Sequence, residues 1–185
     1  AVADKPDSHD VCFIADGDTR NFLRAQLGAA PGRIVDTAGA VVGAHDGSYG
    51  FTVGQRKGLN IGRPAPDGRP RYVLDIEPVS NTVTVGSAED LDVCEIEASR
   101  PVWSGCAEPA GPLHCLVQLR AHGDPQPATC ELRSGGEMLR IRLHRPARGI
   151  ARGQAAVLYD GDAVLGSATI SGVARTPSFS SSLPI

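Results

Sequence analysis

The sequence has few aromatic residues and no long apolar run. Phe, Trp and Tyr make up 4% of its 185 residues. No stretch approaches the roughly 18 consecutive apolar residues that a membrane-spanning helix needs, and the first residues, AVADKP, do not resemble the apolar region of a signal peptide. We therefore expect a cytoplasmic protein with no membrane partner.

Paired metal ligands are also missing. Cys12, Cys94, Cys106, Cys115 and Cys130 are odd in number and widely spaced, with no C-x-x-C pair, and the five histidines show neither H-x-x-x-H nor H-E-x-x-H spacing. A zinc ribbon and a disulfide framework are therefore not indicated. We expect free thiols and no metal site.

Sequence signals for nucleotide binding and serine hydrolysis are absent as well. There is no P-loop, no G-x-G-x-x-G and no G-x-S-x-G motif. The net charge of −3 argues against binding nucleic acid over the whole surface, because phosphate neutralisation requires clustered Lys and Arg. Any RNA site must be local, or shared with a part of the protein outside this sequence.

The sequence is instead rich in turn residues, with 22 Gly and 14 Pro, which favours many short strands. One helix is predicted over Asp18–Leu27, with Asp18 as N-cap and Gly28 as terminator. The predicted strands of the first half are Arg33–Asp36, Val41–Gly43, Tyr49–Val53, Arg71–Glu77 and Thr82–Gly86.

The second half predicts six strands and no helix, which indicates a small closed barrel without exposed sheet edges. These strands are Val93–Ser99, Leu113–Ala121, Ala128–Arg133, Glu137–Leu143, Gln154–Tyr159 and Ala163–Ile170. The predicted fold is a small α+β central domain (residues 1–90) followed by an all-β antiparallel six-stranded barrel (residues 91–175). The Ser- and Pro-rich tail, residues 176–185, is expected to be flexible.

Three features could carry chemistry. Cys12 follows a polar segment in a short apolar run, which favours a buried structural cysteine but also permits a sulfur-carrying thiol. Arg56 and Lys57 lie between two glycines, as in a phosphate-contacting loop or a solvated turn, and the two interpretations are evenly balanced. On the predicted strand Glu137–Leu143, arginines alternate with Leu and Ile, so a basic row should line its outer face.

An ordered series of motifs over nearly the whole chain resembles the tRNA-specific 2-thiouridylases, which older descriptions call tRNA methyltransferases. The matching segments are KPDSHDVCFI (5–14), PGRIV (31–35), HDG (45–47), FTVGQRKGL (51–59), GQAAVLY (153–159) and VLG (164–166). The resemblance implies an N-terminal ATP-pyrophosphatase domain, a small central domain and a C-terminal β-barrel. This chain is similar to the last two.

The resemblance also implies an activity and its partners. The family installs sulfur at C2 of the wobble uridine of certain tRNAs, using ATP with magnesium and a persulfide-carrier protein as sulfur donor. Cys12 matches the persulfide-bearing cysteine, whereas the ATP loop and the other catalytic cysteine belong to the N-terminal domain. No cofactor is therefore expected in this chain, which should be inactive alone.

The family's tRNA contacts match three residues. Gln154 corresponds to the glutamine of a Pro-Gly-Gln motif, and Arg120-Ala121 corresponds to an Arg-Tyr pair whose tyrosine is absent here. Arg152 replaces the proline of that motif, and we expect it to add a cation beside Gln154. The predicted RNA-binding residues are Gln154, Arg120, Ala121, Arg56 and Lys57.

Two other functions compete with this interpretation. A non-enzymatic RNA-binding barrel, like those of translation factors, explains the barrel and basic loops but not the motif series. A free-standing rhodanese-like sulfurtransferase requires a cysteine in a tight loop of backbone amides, and the Phe-Ile pair after Cys12 fits a strand better. Thiol reactivity of Cys12 separates the first alternative from a sulfur-handling enzyme.

Overall fold

A computed structural model describes residues 18–62, 67–105, 107–121 and 123–175. Its α-helix, α1 (Thr19–Leu27), confirms the predicted helix and both predicted ends. The Asp18 carboxylate accepts the Asn21 N–H at 3.0 Å, and Gly28, with φ of 75°, donates its N–H to the Arg24 carbonyl. Within these ranges no helix is long and apolar enough to cross a membrane.

A four-stranded mixed sheet follows the helix. Its strands are β1 (Gly32–Val35), β2 (Val41–His45), β3 (Tyr72–Glu77) and β4 (Thr82–Gly86), in the order β2-β1-β4-β3. The predicted strands Arg71–Glu77 and Thr82–Gly86 are confirmed and pair antiparallel as β3 and β4, whereas β1 runs parallel to β4 and antiparallel to β2. The core of this sheet comprises Ile34, Phe51, Leu59, Val73, Val83 and Val85.

The predicted strand Tyr49–Val53 is wrong. Ser48–Gly50 forms a single 3-10 turn, and Phe51 continues without strand pairing. The aromatic residues of this segment make separate contacts with other elements. Phe51 packs edge-on against His45, and the Tyr49 hydroxyl donates to the Gly28 carbonyl at 2.8 Å. The alternating pattern therefore reflects burial against neighbouring elements.

The second half is a closed six-stranded antiparallel barrel, which confirms the predicted fold class. Its strands are β5 (Val93–Trp103), β6 (Leu113–Gln118), β7 (Gln126–Arg133), β8 (Met138–Ala147), β9 (Ala155–Asp160) and β10 (Ala163–Arg175). They close in the order β10-β5-β8-β7-β6-β9, so every strand has two neighbours. A short 3-10 turn, Glu89–Leu91, precedes the barrel.

Alternating residues divide the barrel wall into an apolar interior and a polar exterior. On β8, Leu139, Ile141 and Leu143 are buried in the barrel core, whereas the intervening Arg140 and Arg142 lie on the outer face. This arrangement confirms the predicted basic row. Arg140 is paired with a carboxylate, at 2.7 Å from Glu95, so much of the row's charge is neutralised locally.

Candidate RNA-binding site

A cleft opens at one end of the barrel, where β6 and β9 separate. The two strands are paired from Leu116↔Tyr159 to Gln118↔Val157, and the pairing then stops. If the same register continued, Ala121 would stand opposite Gln154. The two motifs that resemble the family's tRNA contacts therefore flank the point where the ladder ends.

The structure brings three predicted RNA-binding residues into this cleft. Arg120, Ala121 and Gln154 line a cavity of about 470 Å³, and all three are exposed. Leu119, Ala155 and Val157 add apolar lining. The cleft thus offers a cation, an amide and apolar surface within one concave site, a combination that suits an unstacked nucleotide. We name it the Gln154 cleft.

Two residues that sequence reasoning missed hold one wall of the cleft. The Gln118 side-chain amide donates to the carbonyls of Ala121 (3.3 Å) and Gly123 (3.1 Å), and its Oε1 accepts the Tyr159 hydroxyl at 3.0 Å. The Gly123 N–H closes the turn on the Arg120 carbonyl at 3.1 Å. Tyr159 and Gln118 therefore fix the turn that presents Arg120. The only sequence signal was the last residue of the GQAAVLY motif.

The opposite wall is anchored to β10. The Gly153 N–H donates to the Ile170 carbonyl, and the Ile170 N–H donates to the Gln154 carbonyl, each at 2.8 Å. Gly153 has φ of 84°, a conformation that L side chains rarely adopt. The glycine of this motif is thus required by the backbone that carries Gln154.

Arg152, which was expected to add a cation beside Gln154, has its charge paired with two carboxylates. Its guanidinium donates to Asp75 at 2.9 Å and to Glu77 at 3.0 Å, both on β3 of the first sheet. The side chain joins the barrel to the sheet instead. Sequence could not show this because the partners lie more than seventy residues away.

Arg56 and Lys57 project from a loop with a fixed backbone. Gln55 bonds in both directions along the loop: Oε1 accepts the Thr52 N–H at 3.0 Å, and Nε2 donates to the Lys57 carbonyl at 2.9 Å. Both basic side chains are exposed, and within the described residues neither has an ion-pair partner. They are therefore available to phosphate. We name residues 54–58 the basic loop.

Strand β3 contacts both the basic loop and Arg152, the residue that joins the barrel to the first sheet. Gly54 and Gln55 pair with the backbone of Val73 at 2.8 and 2.9 Å, whereas Arg152 contacts Asp75 and Glu77 on the same strand. Since a strand rises about 3.3 Å per residue, these attachment points are separated by roughly 7 to 13 Å along β3. The basic loop and the segment that leads into Gln154 are thus both attached to β3.

The PGRIV and HDG motifs have structural roles. A Cβ at Gly32 would stand 2.1 Å from the Asn81 carbonyl oxygen and 2.5 Å from the His45 ring, so only glycine fits. Asn81 donates through Nδ2 to the carbonyls of Ala30 (2.7 Å) and Pro31 (3.0 Å). These residues lock the segment after α1 onto the first sheet.

The N-terminus of α1 is not free to bind a phosphate group. A triphosphate is usually held at a glycine-rich loop before a helix N-terminus, but the α1 N-terminus is already occupied by the Asp18 carboxylate. Among the residues that the structure covers, no three His, Cys, Asp or Glu side chains come together as a metal site would require.

Cys12 and two other cysteines must be treated separately. Cys12 lies outside the described residues, so its expected role stays a prediction. Cys115 and Cys130 face each other inside the barrel wall with their Sγ atoms 3.6 Å apart. The hydrogen bond from Cys130 lowers the pKa of Cys115, and that same contact together with burial raises the pKa of Cys130.

Comparison with family models gives two consecutive matches. Residues 20–87 match the tRNA methyl transferase PRC-barrel domain. Residues 93–170 match the aminomethyltransferase beta-barrel domain. The first match spans the helix and the mixed sheet, and the second spans most of the closed barrel.

Curated relatives give a consistent result. The chain is 63% identical over 174 residues to the tRNA-specific 2-thiouridylase MnmA of Salinispora arenicola, covering 91% of this chain and 48% of the relative. It is 61% identical over 176 residues to the protein of the same name from Streptomyces avermitilis, covering 95% of this chain and 46% of the relative. The chain therefore spans about half the length of the curated relatives that it matches.

Proposed function

Since the chain belongs to the tRNA-specific 2-thiouridylase family, we propose that it supplies the tRNA-binding surface and the persulfide cysteine of an ATP-dependent enzyme that thiolates C2 of the wobble uridine. One observation carries the RNA-binding half of this proposal. The two segments that resemble the family's tRNA contacts, Arg120-Ala121 and Gln154, line one cleft although they are distant in sequence.

The distribution of charge supports a local RNA site. Arg140, Arg148 and Arg152 are each engaged by carboxylates, whereas Arg56 and Lys57 are exposed and have no ion-pair partner in the part of the chain that the structure describes. Phosphate contacts position nucleic acid without reading its sequence. The basic loop would hold the tRNA backbone, and the Gln154 cleft would receive a nucleotide.

The sulfur-carrying role rests on Cys12 and on the resemblance of its motif. Sulfur receipt needs a thiolate that meets a persulfide donor, with a rate set by thiolate fraction and access. Adenylation of the uridine requires ATP, and the 185 residues contain no P-loop motif. We therefore infer that adenylation depends on a part of the family's length that this chain does not span.

A binding experiment tests the RNA-contacting role. We expect Gln154→Ala to weaken binding of unmodified tRNA to this chain about five- to tenfold, the loss of one hydrogen-bonding contact to a charged or polar group. Gln26→Ala, which removes the same side chain from exposed α1, is the matched control. Equal affinities for the wild type and Gln154→Ala would refute the assignment of the cleft.

A second experiment tests the sulfur-carrying role in the longer enzyme. Cys12→Ser keeps the size of the side chain but cannot hold sulfane sulfur, so pyrophosphate release should persist while thiolated uridine disappears. Cys94→Ser, a half-buried barrel cysteine, should thiolate normally. Undiminished thiolation by Cys12→Ser would refute this role and leave Cys12 as a structural cysteine.

A further inference from the structure

A second cavity adjoins the Gln154 cleft, because Arg120 lines both. It has a volume of about 250 Å³, and it shares Leu119 and Arg120 with the cleft. We name it the Gln126 cavity. Ligand sites for drug-sized molecules run from about 300 to 1,000 Å³, so this smaller space suits one heterocyclic ring.

The floor of the Gln126 cavity is apolar and rigid. Val117, Leu119, Ala147 and Ile150 line it, and all four belong to the buried core of the barrel. A flat ring could replace water against this surface, which is the usual way in which a splayed base is received. The cavity therefore has an apolar floor against which a base could pack.

Arg120 forms a wall between the two cavities. Its Nη1 donates to the Arg148 carbonyl at 3.4 Å and lies 3.4 Å from the position that a Cβ on Gly149 would occupy. Gly149, with φ of 72°, therefore leaves room for the guanidinium. RNA bases commonly stack on planar Arg guanidinium groups, and this one is held between both spaces.

The polar side chains beside the floor offer hydrogen-bond acceptors. Gln126 lines the cavity, and its Oε1 is buried without a hydrogen-bond partner among the described residues. Asp124 supplies an exposed carboxylate at the rim. Because a buried acceptor without a hydrogen bond is destabilising, a ligand with N–H donors would be favoured there.

We propose that the Gln126 cavity binds a single unstacked RNA base that carries an amino group, with guanine preferred. Guanine presents adjacent N–H donors that a carboxylate such as Asp124 accepts together, whereas uracil presents one N–H between two carbonyls. The base would stack on Arg120, and its neighbour would enter the Gln154 cleft. This inference rests on the proposed RNA-binding function.

Short RNAs test the proposal on the full 185-residue chain. Fluorescence anisotropy would compare the pentamers UUGUU, UUAUU, UUCUU and UUUUU at low salt. We expect UUGUU to bind about tenfold more tightly than UUUUU, the discrimination that one good base contact gives. In Asp124→Asn this ratio should fall to within about twofold, because one acceptor becomes a donor.

The control variant and the outcomes separate this inference from the proposed function. Asp162→Asn makes the same charge change in the exposed β9–β10 turn and should keep the tenfold preference. Equal binding of all four pentamers by the wild type, or an Asp124→Asn variant that keeps the preference, would overturn the base-specific cavity while leaving the RNA-binding function intact. Absence of binding to any pentamer and to tRNA would overturn both.

Discussion

The basic loop gives the most direct quantitative prediction, because its two cations are exposed and its backbone is fixed. Replacing Arg56 and Lys57 together by Ala removes two candidate phosphate contacts without touching Gln55, whose side chain holds the loop. The fold should therefore be unchanged. Any change in RNA binding can then be assigned to charge.

The size of the effect follows from counterion release. Each phosphate contact contributes about 0.7 to 0.9 to the slope of log affinity against log salt, so two contacts contribute about 1.4 to 1.8. Over a fourfold rise in salt, this difference changes the ratio of wild-type to variant affinity by about tenfold. The variant should bind tRNA more weakly at low salt and approach the wild type as salt rises.

The assay is tRNA filter binding between about 50 and 200 mM salt, the range over which such slopes are resolved. Arg133→Ala with Arg140→Ala is the matched control, since it makes the same change in net charge at residues already paired with carboxylates at 2.7 Å. We expect its slope to stay close to that of the wild type. An Arg56/Lys57 double variant with unchanged affinity and slope would show that the loop is not a contact site.

Three further predictions concern single contacts. Tyr159→Phe should lower the melting temperature by a few degrees, because it loses one hydrogen bond worth about 0.5–1.5 kcal/mol, and it should lower tRNA affinity about three- to tenfold, because that bond fixes the cleft; unchanged affinity in filter binding would contradict this. Iodoacetamide should label Cys115 before Cys130. Cys130→Ala should move Cys115 labelling to higher pH, because the hydrogen bond that lowers the pKa of Cys115 is gone. Mass spectrometry of peptides sampled across pH measures both rates of labelling. The pKa of Glu95 is lowered chiefly by its hydrogen bond with Arg140. The stabilisation from this pair is therefore present above the ordinary glutamate pKa of about 4.3, and it is lost as the pH falls through the lower pKa of the folded state. In urea unfolding, Arg140→Gln should lose less stability over this fall in pH, and an acid profile like that of the wild type would count against the pair.

Local sequence patterns determined much of the architecture. Asp18 and Gly28 delimited the helix because capping acts within one turn, and the alternation along β8 predicted which residues face the barrel interior because side chains alternate along any strand. The same local rule failed at Tyr49–Val53. There, burial against His45 and Gly28 produces an apolar pattern without a strand, since periodicity reports burial and not pairing.

The candidate site was named residue by residue through the family resemblance, but tertiary structure decided how its parts meet. Arg120, Ala121 and Gln154 line one cleft beyond the end of the β6–β9 pairing, and the Gln118–Tyr159 hydrogen bond holds one wall of that cleft. Arg152 was expected to add a cation beside Gln154, but its charge is paired with Asp75 and Glu77. Its partners reach it from β3 only after the sheet and the barrel have formed, and no local pattern encodes a contact over that separation.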